Sequence, residues 1–456
     1  MRQGRGSRTL VQTSQVSYPP RPMKTIVRRS LAIGTFLGLL GLSATLNQPQ
    51  LRHLERFADL LVVAPRRKTL AQLAAQECDG VDPSNLADFL RISPWDPDDI
   101  RLPLIAALLE YLKNRNRDNT QPLFLALDDS LVPKDKGTKH IEPADWFFDH
   151  KTHRNIRASN HLSLGIYWGG FYFPLSERLY LREATVRRSN RKRPKHKRLT
   201  YVSKPKLAQQ MLEQVRPYLP EGVKVYVLFD SWYTSARLVR WIRNRGWHVI
   251  AGVKSNRTVS CRQGDPPKAR CQQVSSWHND FKGKPYERVR LGLANGKTRT
   301  YYVRSLLGRL RGVPGDVRVL ISQKGPGKAT PRYFLCTDVA LSCQEVLKFY
   351  QNRWRIETDY WQVKMHLGLG DYRVRGYEAI CRWYSVVYLV LAYLYWRKYE
   401  HQKKPGCTIS LSEVIQAIRQ EHQRECLREA CQKVAQGEPI EEVLKRYLGP
   451  EVLAVA

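Results

Sequence analysis

Two stretches of this chain have the composition of buried β-strands, and each leads directly into an acidic residue. Residues 123–127 read Leu-Phe-Leu-Ala-Leu and are followed by Asp128 and Asp129, whereas residues 223–229 are followed by Asp230. Apolar runs of this length are typical of strands that are covered on both faces. Such strands require a sheet packed between helices, and neighbouring strands of that sheet would bring their terminal acids close together.

The sequence around these runs alternates between strand and helix patterns. Gly169 and Gly170 separate two strand-like stretches and predict a hairpin. The predicted order is strand, two hairpin strands, helix, strand, helix, strand, over residues 123–127, 161–168, 171–183, 204–216, 223–229, 234–245 and 247–253. The predicted fold class is therefore α/β with a mixed sheet.

The stretch from residue 350 to residue 364 predicts a helix with two distinct stripes. At about 100° per residue, Tyr350, Arg353, Glu357 and Lys364 fall within an arc of about 60°. The neighbouring stripe is apolar and has the pattern of a buried face, formed by Phe349, Ile356, Tyr360, Val363 and Leu367. Taken alone, a charged row of this kind is more often a solvated face with ion pairs.

The charge balance of the chain favours a polyanionic partner. With 76 Lys and Arg against 41 Asp and Glu, the formal net charge is +35. Such an excess favours nucleic acid first and an anionic membrane second. The nine cysteines form no C-x-x-C pair and no zinc-ligand spacing, so we expect reduced thiols and no metal bound by sulfur.

One short segment concentrates this positive charge. Residues 187–198 hold eight Lys or Arg in twelve positions, among them Arg191, Lys192 and Arg193. Such a run is usually a solvated loop. In a chain this basic we expect these three residues to bind DNA phosphates, because cation clusters gain affinity by releasing counterions from DNA.

The spacing Tyr350-x2-Arg353-x3-Glu357-x6-Lys364 resembles the Y-(2)-R-(3)-E-(6)-K signature of DDE transposases from bacterial insertion sequences, and all four positions match. The resemblance implies that Glu357 is the third metal-binding carboxylate. It also implies that Tyr350, Arg353 and Lys364 contact the terminal phosphates of the element's DNA. The fold implied is a ribonuclease-H-like mixed sheet that carries a β-rich insertion.

On this resemblance, the catalytic and metal-binding acids are Asp129, Asp230 and Glu357. They would hold two Mg²⁺ ions, for which Mn²⁺ can substitute, because hard divalent cations take carboxylate oxygens. Each acid also has a simpler interpretation: Asp129 as a turn residue, Asp230 as a helix cap, and Glu357 as an ion-pair partner of Arg353.

The first of these three acids is ambiguous. Asp128 and Asp129 point to opposite faces of a strand, so one of the two can be the ligand. The resembled family places its acid immediately before a small hydroxyl residue, often Thr, and Ser130 follows Asp129. This favours Asp129. The lysines that follow, Lys134, Lys136 and Lys139, are expected to face DNA.

The resemblance and the local patterns together predict four regions. Residues 1–120 form a basic tail and a helical DNA-binding domain, residues 121–254 and 341–400 form the catalytic domain, residues 255–340 form the β-rich insertion, and residues 401–456 form a C-terminal helical region. Short helices on either side of Asp79-Gly80 are consistent with either a helix-turn-helix or an ordinary bundle. The uncharged residues 30–51 resemble a signal or anchor segment, but their Gly and Thr content favours a core helix.

The predicted function is Mg²⁺-dependent DNA cleavage and strand transfer, the cut-and-paste transposition of an insertion sequence. The expected partners are double-stranded DNA, as terminal repeats and target, and a second copy of the chain in a synaptic homodimer. We expect no membrane association and a cytoplasmic, nucleoid-associated location. The alternatives are a ribonuclease-H-like DNA nuclease, a catalytically inactive DNA-binding protein, or a membrane-anchored protein.

Overall fold

A computed structural model describes residues 31–64, 67–74, 84–116, 120–135, 138, 140–261, 271–280, 285–292, 296–325, 330–402 and 409–448. Its strands are β1 (Leu123–Pro133), β2 (Asp145–Asp149), β3 (Arg154–Trp168), β4 (Phe171–Tyr180), β5 (Val225–Phe229), β6 (His248–Val253), β7 (Thr258–Cys261), β8 (Cys271–Gln273), β9 (Glu287–Gly292), β10 (Thr298–Leu310), β11 (Val317–Gln323) and β12 (Arg332–Cys336). All of these described strands belong to one mixed sheet.

The centre of the sheet follows the order β4-β3-β1-β5-β6. Strands β1, β3 and β4 are antiparallel neighbours, and the hairpin between β3 and β4 turns at Gly169 and Gly170, both with positive φ. Strands β1, β5 and β6 run parallel to one another. The predicted mixed α/β sheet is therefore present, and β2 is a strand that the sequence pattern did not predict.

Strands β7 to β12 lie in the interval predicted to be rich in short strands. They extend the same sheet, because β12 pairs antiparallel with β6 over Tyr333↔Val253 to Cys336↔Ile250. From β12 the order continues through β11, β10, β7 and β8, with β9 paired to β10. The division of the chain into four domains stays a prediction.

The helices are α1 (Leu31–Leu39), α2 (Gln48–Val63), α3 (Leu70–Ala74), α4 (Ser84–Arg91), α5 (Asp98–Arg115), α6 (Glu183–Asn190), α7 (Lys204–Val215), α8 (Ala236–Arg243), α9 (Val274–Asp280), α10 (Cys343–Tyr350), α11 (Trp354–Met365), α12 (Tyr377–His401), α13 (Leu411–Ala435) and α14 (Ile440–Leu448). Helix α12 lies at the centre of the helical layer, in contact with α2, α4, α5, α11, α13 and β4. Among the described helices it alone has the length and hydropathy to cross a membrane, and 83% of its most apolar part is buried inside the protein.

The uncharged N-terminal segment packs into the core, as the core-helix interpretation predicted. On α1, Ile33, Phe36 and Leu37 are buried. The Phe36 ring lies 5.6 Å from the ring of Tyr393 on α12. The turn at Asp79-Gly80 between α3 and α4 lies outside the described residues, so the helix-turn-helix interpretation stays a prediction.

Helix α5 starts at Asp98 and contains Pro103 in its interior. A proline inside a helix leaves the carbonyl four residues earlier without its usual donor. Here that carbonyl belongs to Asp99, and it accepts a hydrogen bond of 2.7 Å from the hydroxyl of Thr45. This contact explains how the helix continues through Pro103, and it joins the N-terminal segment to α5.

The helix predicted over residues 350–364 is divided by one tighter turn. Helix α10 ends at Tyr350, Gln351–Arg353 form a 3₁₀ turn, and α11 starts at Trp354. The backbone stays in the helical region through this turn, so the two helices follow one another closely. Of the predicted apolar stripe, Ile356, Tyr360 and Val363 on α11 and Leu367 just after it are buried, whereas Phe349 on α10 is half-buried.

Beneath the sheet, His161 is completely buried among aromatic side chains. Its Nε2 lies 3.1 Å from the hydroxyl of Tyr388, and its ring makes edge contacts with Tyr360 and Tyr384. Burial, together with the positive charge of Lys364, lowers the pKa of His161 to about 3. The imidazole is therefore neutral in the folded protein at neutral pH.

This buried histidine predicts a loss of stability in acid. Below pH 6.5 the unfolded chain binds a proton on His161 that the folded protein does not, so stability decreases as the pH falls from 6.5 towards 3. At pH 5 the loss is about 2 kcal/mol. In the variant His161→Gln the amide oxygen can still accept a hydrogen bond from Tyr388. Its free energy of unfolding should decrease less than that of the wild type between pH 7 and pH 5, as measured by denaturant titration. His196→Gln, at an exposed site, is the control, and an equal loss in all three proteins would contradict the prediction.

Candidate active site

Three acids gather at the place where β5 stops pairing with β1. The ladder between β1 and β5 covers Leu123 to Ala126, whereas β1 continues beside β3 as far as Pro133. Asp128 and Asp129 therefore lie inside a longer strand than predicted, at a point where one neighbour has ended. Asp230 directly follows β5, and the pairing of Ala126 with Leu228 brings Asp128 and Asp230 to the same level of the sheet.

Arg353 connects the first of these acids to the helical acid. Its Nη1 lies 2.6 Å from Oδ2 of Asp128, and its Nη2 lies 2.6 Å from Oε1 of Glu357. The guanidinium group also lies 5.6 Å from the ring centre of Tyr350, which packs against Phe334. The structure thus brings Asp128, Glu357, Arg353 and Tyr350 together across the edge of the sheet.

The acids on the strands carry an excess of buried negative charge. Burial raises the pKa of Asp128 to about 7; Arg353 opposes this, and the charges of Asp230 and Asp129 add to it. Burial also raises the pKa of Asp230, and the negative charge of Asp129 raises it further. The hydrogen bond from the backbone N–H of Trp232 and the positive charge of Arg353 act in the opposite direction, but burial outweighs them. Acids that raise one another's pKa in this way would be stabilised by further positive charge.

The carboxylate of Asp129 forms hydrogen bonds with a different set of residues from that of Asp128. Its Oδ1 accepts a hydrogen bond of 2.8 Å from the hydroxyl of Tyr233. Its Oδ2 accepts bonds of 2.7 Å from Nζ of Lys204 and 3.0 Å from Nδ2 of Asn160. Asp129 thus joins β3, α7 and the segment after β5. The small hydroxyl residue after Asp129 favoured Asp129 over Asp128 as a metal ligand, but the residue that shares Arg353 with Glu357 is Asp128.

Lys364 lies on α11, two turns beyond Glu357. Its Nζ donates to the hydroxyl of Ser130 at 2.7 Å and to the carbonyl of Leu131 at 2.8 Å. Burial lowers the pKa of Lys364 to about 8, with Lys151 lowering it and Asp149 raising it. Lys364 therefore binds the same strand as the acids, a few residues beyond them.

In the basic segment after α6, the three residues predicted to bind DNA differ in their contacts. Arg191 and Lys192 are exposed, as a phosphate-binding role requires. Arg193 is 13% exposed and forms ion pairs with Glu142 at 2.8 Å and with Glu378 at 3.0 Å. Its guanidinium group is thus occupied by carboxylates, which differs from the phosphate-binding role predicted for it.

Lys134 also differs from its predicted role of facing DNA. Its side chain is buried, its Nζ donates to the carbonyl of Gly370 at 2.6 Å, and it lies 3.1 Å from the ring centre of Tyr372. Burial lowers its pKa to about 7. Lys136 and Lys139 lie outside the described residues.

The donor set at this edge has the chemistry of a site for a hard divalent cation. Asp128, Asp230 and Glu357 offer carboxylate oxygens, the ligands that Mg²⁺ prefers. Within the part of the chain that the structure describes, no three His, Cys, Asp or Glu side chains are already grouped closely enough to hold a metal ion. Arg353 lies between Asp128 and Glu357 and forms an ion pair with each, so one guanidinium charge is shared by two carboxylates.

Comparison with known proteins shows the family of this chain. The family model of the DDE superfamily endonucleases matches residues 42–304, more than half of the chain. This chain belongs to the DDE superfamily of endonucleases. The matched region contains Asp128, Asp129 and Asp230 but ends before Glu357.

Two transposases are similar to this DDE superfamily member. A probable transposase for insertion sequence element IS701 from Microchaete diplosiphon is 24% identical over 341 residues, which cover 73% of this chain and 80% of that protein. The second is a piggyBac transposase, seen in a cryo-EM structure of its synaptic complex with hairpin DNA. The structural match covers 82% of this chain and 70% of the piggyBac chain, with 12% sequence identity and a TM-score of 0.44.

The two halves of the basic segment should respond differently to mutation. Arg193→Gln leaves Glu142 and Glu378 without their cation and should lower the free energy of unfolding by about 1–3 kcal/mol. The double variant Arg191→Gln/Lys192→Gln should fold normally and weaken DNA binding, lowering the slope of log K against log salt by about 2. Thermal denaturation and salt-dependent fluorescence anisotropy with duplex DNA measure these effects. A stable Arg193→Gln protein with reduced salt dependence would restore the phosphate-binding role of Arg193.

Proposed function

We propose that this DDE superfamily endonuclease is a transposase that cleaves the DNA ends of an insertion sequence and joins them to target DNA. The proposal rests above all on Arg353, which ties Asp128 to Glu357 beside Asp230. The match of the Tyr350, Arg353, Glu357 and Lys364 spacing to the transposase signature supports it. The similarity to a protein named as a probable insertion-sequence transposase supports it further.

The proposed catalytic core is a ribonuclease-H-like sheet. Its support is the strand order β4-β3-β1-β5-β6, with three antiparallel strands followed by two strands parallel to β1. In this arrangement the acids after β5 and on β1 share one edge, and α11 brings Glu357 to the same edge. Strands β7 to β12 would be the β-rich insertion between β6 and α10.

Asp128, Asp230 and Glu357 would hold the two Mg²⁺ ions. When bound, such ions activate the attacking oxygen and neutralise the charge that develops on the phosphate. Asp129 takes the different role of positioning Tyr233, Lys204 and Asn160 around the acids. This revises the expected ligand set of Asp129, Asp230 and Glu357 at its first member.

Arg353 and Lys364 would bind phosphates of the DNA close to the bond that is cleaved. Arg353 forms ion pairs with Asp128 and Glu357, and its planar fork can exchange these carboxylates for phosphate oxygens. The ring of Tyr350 would hold the guanidinium group of Arg353 in place, because the two lie next to each other. Arg191 and Lys192, on the exposed basic segment, would bind phosphates farther along the duplex.

The remaining expectations follow from this activity. The partners would be terminal-repeat DNA and target DNA, with two copies of the chain in the synaptic complex. The protein would act on the nucleoid in the cytoplasm. The second candidate is an endonuclease without strand transfer, which the description of the matching family model favours because it names only cleavage.

The test is a cleavage and joining assay with the full-length protein. The substrates are linear duplexes that carry the DNA on either side of the encoding gene, with a supercoiled plasmid as target. We expect cleavage at defined positions and joined products in Mg²⁺ or Mn²⁺, and neither in EDTA, because the acids need the cation to bind phosphate. Scrambled flanks are the control. Cleavage without joined products would support the endonuclease, and binding without cleavage in either metal would support an inactive DNA-binding protein.

Two matched variants decide which aspartate on β1 is the ligand. Asp128→Asn should lower the cleavage rate by about 10³-fold, because it removes a metal-binding charge. Asp129→Asn should lower it by about tenfold, because the amide keeps one acceptor oxygen and loses the ion pair with Lys204. Single-turnover rates on the same duplex measure both. A larger loss in Asp129→Asn would return the ligand role to Asp129.

A further inference from the structure

A two-stranded hairpin, formed by β2 and the start of β3, extends beyond the centre of the sheet. Strand β2 pairs with the first five residues of β3. Strand β1 pairs with β3 only as far as Ala158, and β4 pairs with it only as far as Asn160. Residues 154–157 therefore share a ladder, among the described strands, with β2 alone. We call residues 145–157 the projecting hairpin.

The projecting hairpin connects the two places where DNA phosphates are proposed to bind. After the larger effect of burial, the charges of Lys151 and Asp149 act on the pKa of Lys364, so the tip of the hairpin lies close to that ammonium group. At the base of the hairpin, a carbonyl of β2 accepts a hydrogen bond of 2.9 Å from Nη1 of Arg182. Arg182 directly precedes α6, which leads into the basic segment of residues 187–198. A duplex that contacts both places would therefore lie along the hairpin.

Two large apolar side chains are exposed on one face of the projecting hairpin. Trp146 is 55% exposed and Phe148 is 48% exposed. They are two residues apart on one strand, so both point to the same side. The rings of His150 and His153 lie 5.0 and 6.5 Å from the ring of Phe148, in edge contacts. An exposed aromatic cluster of this kind marks an interaction surface.

The charge of the projecting hairpin favours a polyanion as the partner of this surface. Lys151 and Arg154 are exposed. The two carboxylates of the hairpin accept hydrogen bonds inside the protein, Asp149 from the backbone N–H of Lys151 at 3.0 Å and Asp145 from the hydroxyl of Thr185. The cations are thus the charges that the hairpin presents to a ligand, which is complementary to phosphate.

The dimensions of the projecting hairpin fit one groove of the duplex. Two paired strands lie about 4.8 Å apart. The minor groove, about 6 Å wide, is too narrow for two strands with their side chains, whereas the major groove, about 12 Å wide, admits a two-stranded ribbon. The apolar group that a base pair presents in the major groove is the methyl group of thymine.

We propose that the projecting hairpin enters the major groove between the phosphates bound by Lys364 and those bound by the basic segment, with Trp146 and Phe148 against thymine methyl groups. Lys151 binds a phosphate at the edge of that groove. This rests on the proposed transposase function, which supplies the DNA. It makes the hairpin an element that recognises the base sequence near the ends of the insertion sequence.

The test removes methyl groups from the DNA and rings from the hairpin. Binding of the full-length protein to the duplexes that carry the DNA on either side of the encoding gene is measured in EDTA, with thymine replaced by uracil in successive short blocks. One block should weaken binding about fourfold for each methyl group that contacts the hairpin. The double variant Trp146→Ala/Phe148→Ala should weaken binding to the thymine duplex about tenfold and should no longer respond to uracil.

Two further measurements separate the groove from the phosphates. Inosine in place of guanine removes an amino group from the minor groove only, so in the sensitive block it should leave binding unchanged. Lys151→Gln should lower the slope of log K against log salt by about 1 and keep the response to uracil. Leu427→Ala, at an exposed apolar residue of α13, is the matched control and should bind as the wild type does. A Tm equal to that of the wild type shows that each variant is folded.

Other outcomes would overturn the role of the hairpin in the groove. If no block responds to uracil, or if the double variant responds as the wild type does, the rings do not contact thymine methyl groups. If the double variant instead dissociates dimers in sedimentation experiments without DNA, the surface binds a second copy of the chain. Failure of the proposed function is distinct, since the wild-type protein would then give no joined products in Mg²⁺, whereas the response to uracil is measured on binding alone.

Discussion

The active-site edge depends on the burial of several carboxylates close together with one arginine between two of them. The charges of Asp230 and Asp129 raise the pKa of the buried Asp128, and Arg353 is the cation that keeps Asp128 beside Glu357. Removing a cation from such a cluster is costly, because the acids remain buried without a counter-charge. The same excess of negative charge fits the proposed binding of a divalent metal ion.

A polar network beneath the sheet holds the helix that carries Glu357. Asp359 is buried on the opposite side of α11, and it accepts hydrogen bonds from Tyr172 on β4 at 2.5 Å and Tyr395 on α12 at 2.7 Å. Gly165 leaves room for the phenol of Tyr172, since a side chain there would collide with it. These bonds tie α11 to the sheet and to α12. Arg353 and Glu357 are therefore held in place in two ways: by their contact with each other, and by the hydrogen bonds that Asp359 makes on the opposite side of α11.

Much of the sheet could be predicted because periodicity and turn residues are local signals. The glycine pair after β3 and the apolar runs of β1 and β5 correctly predicted strands. The full length of β1 could not be predicted, since its continuation past Asp128 is set by pairing with β3, and β5 ends earlier. Likewise, the residues around Pro103 do not explain how helix α5 continues through it, because a hydroxyl 58 residues earlier in the chain, on Thr45, satisfies the carbonyl that the proline leaves free.

The sequence by itself determined the chemistry available to this protein: acids after apolar runs, a signature of four residues at fixed spacing, and an excess of positive charge. All of these are properties of composition and spacing, which need no partner. Only the tertiary structure decided how adjacent residues divide their roles. Asp128 and Asp129 are neighbours in the chain, but a strand turns them to opposite sides, one towards Arg353 and the other towards Lys204. The same holds for Arg193, whose carboxylate partners come from distant parts of the chain.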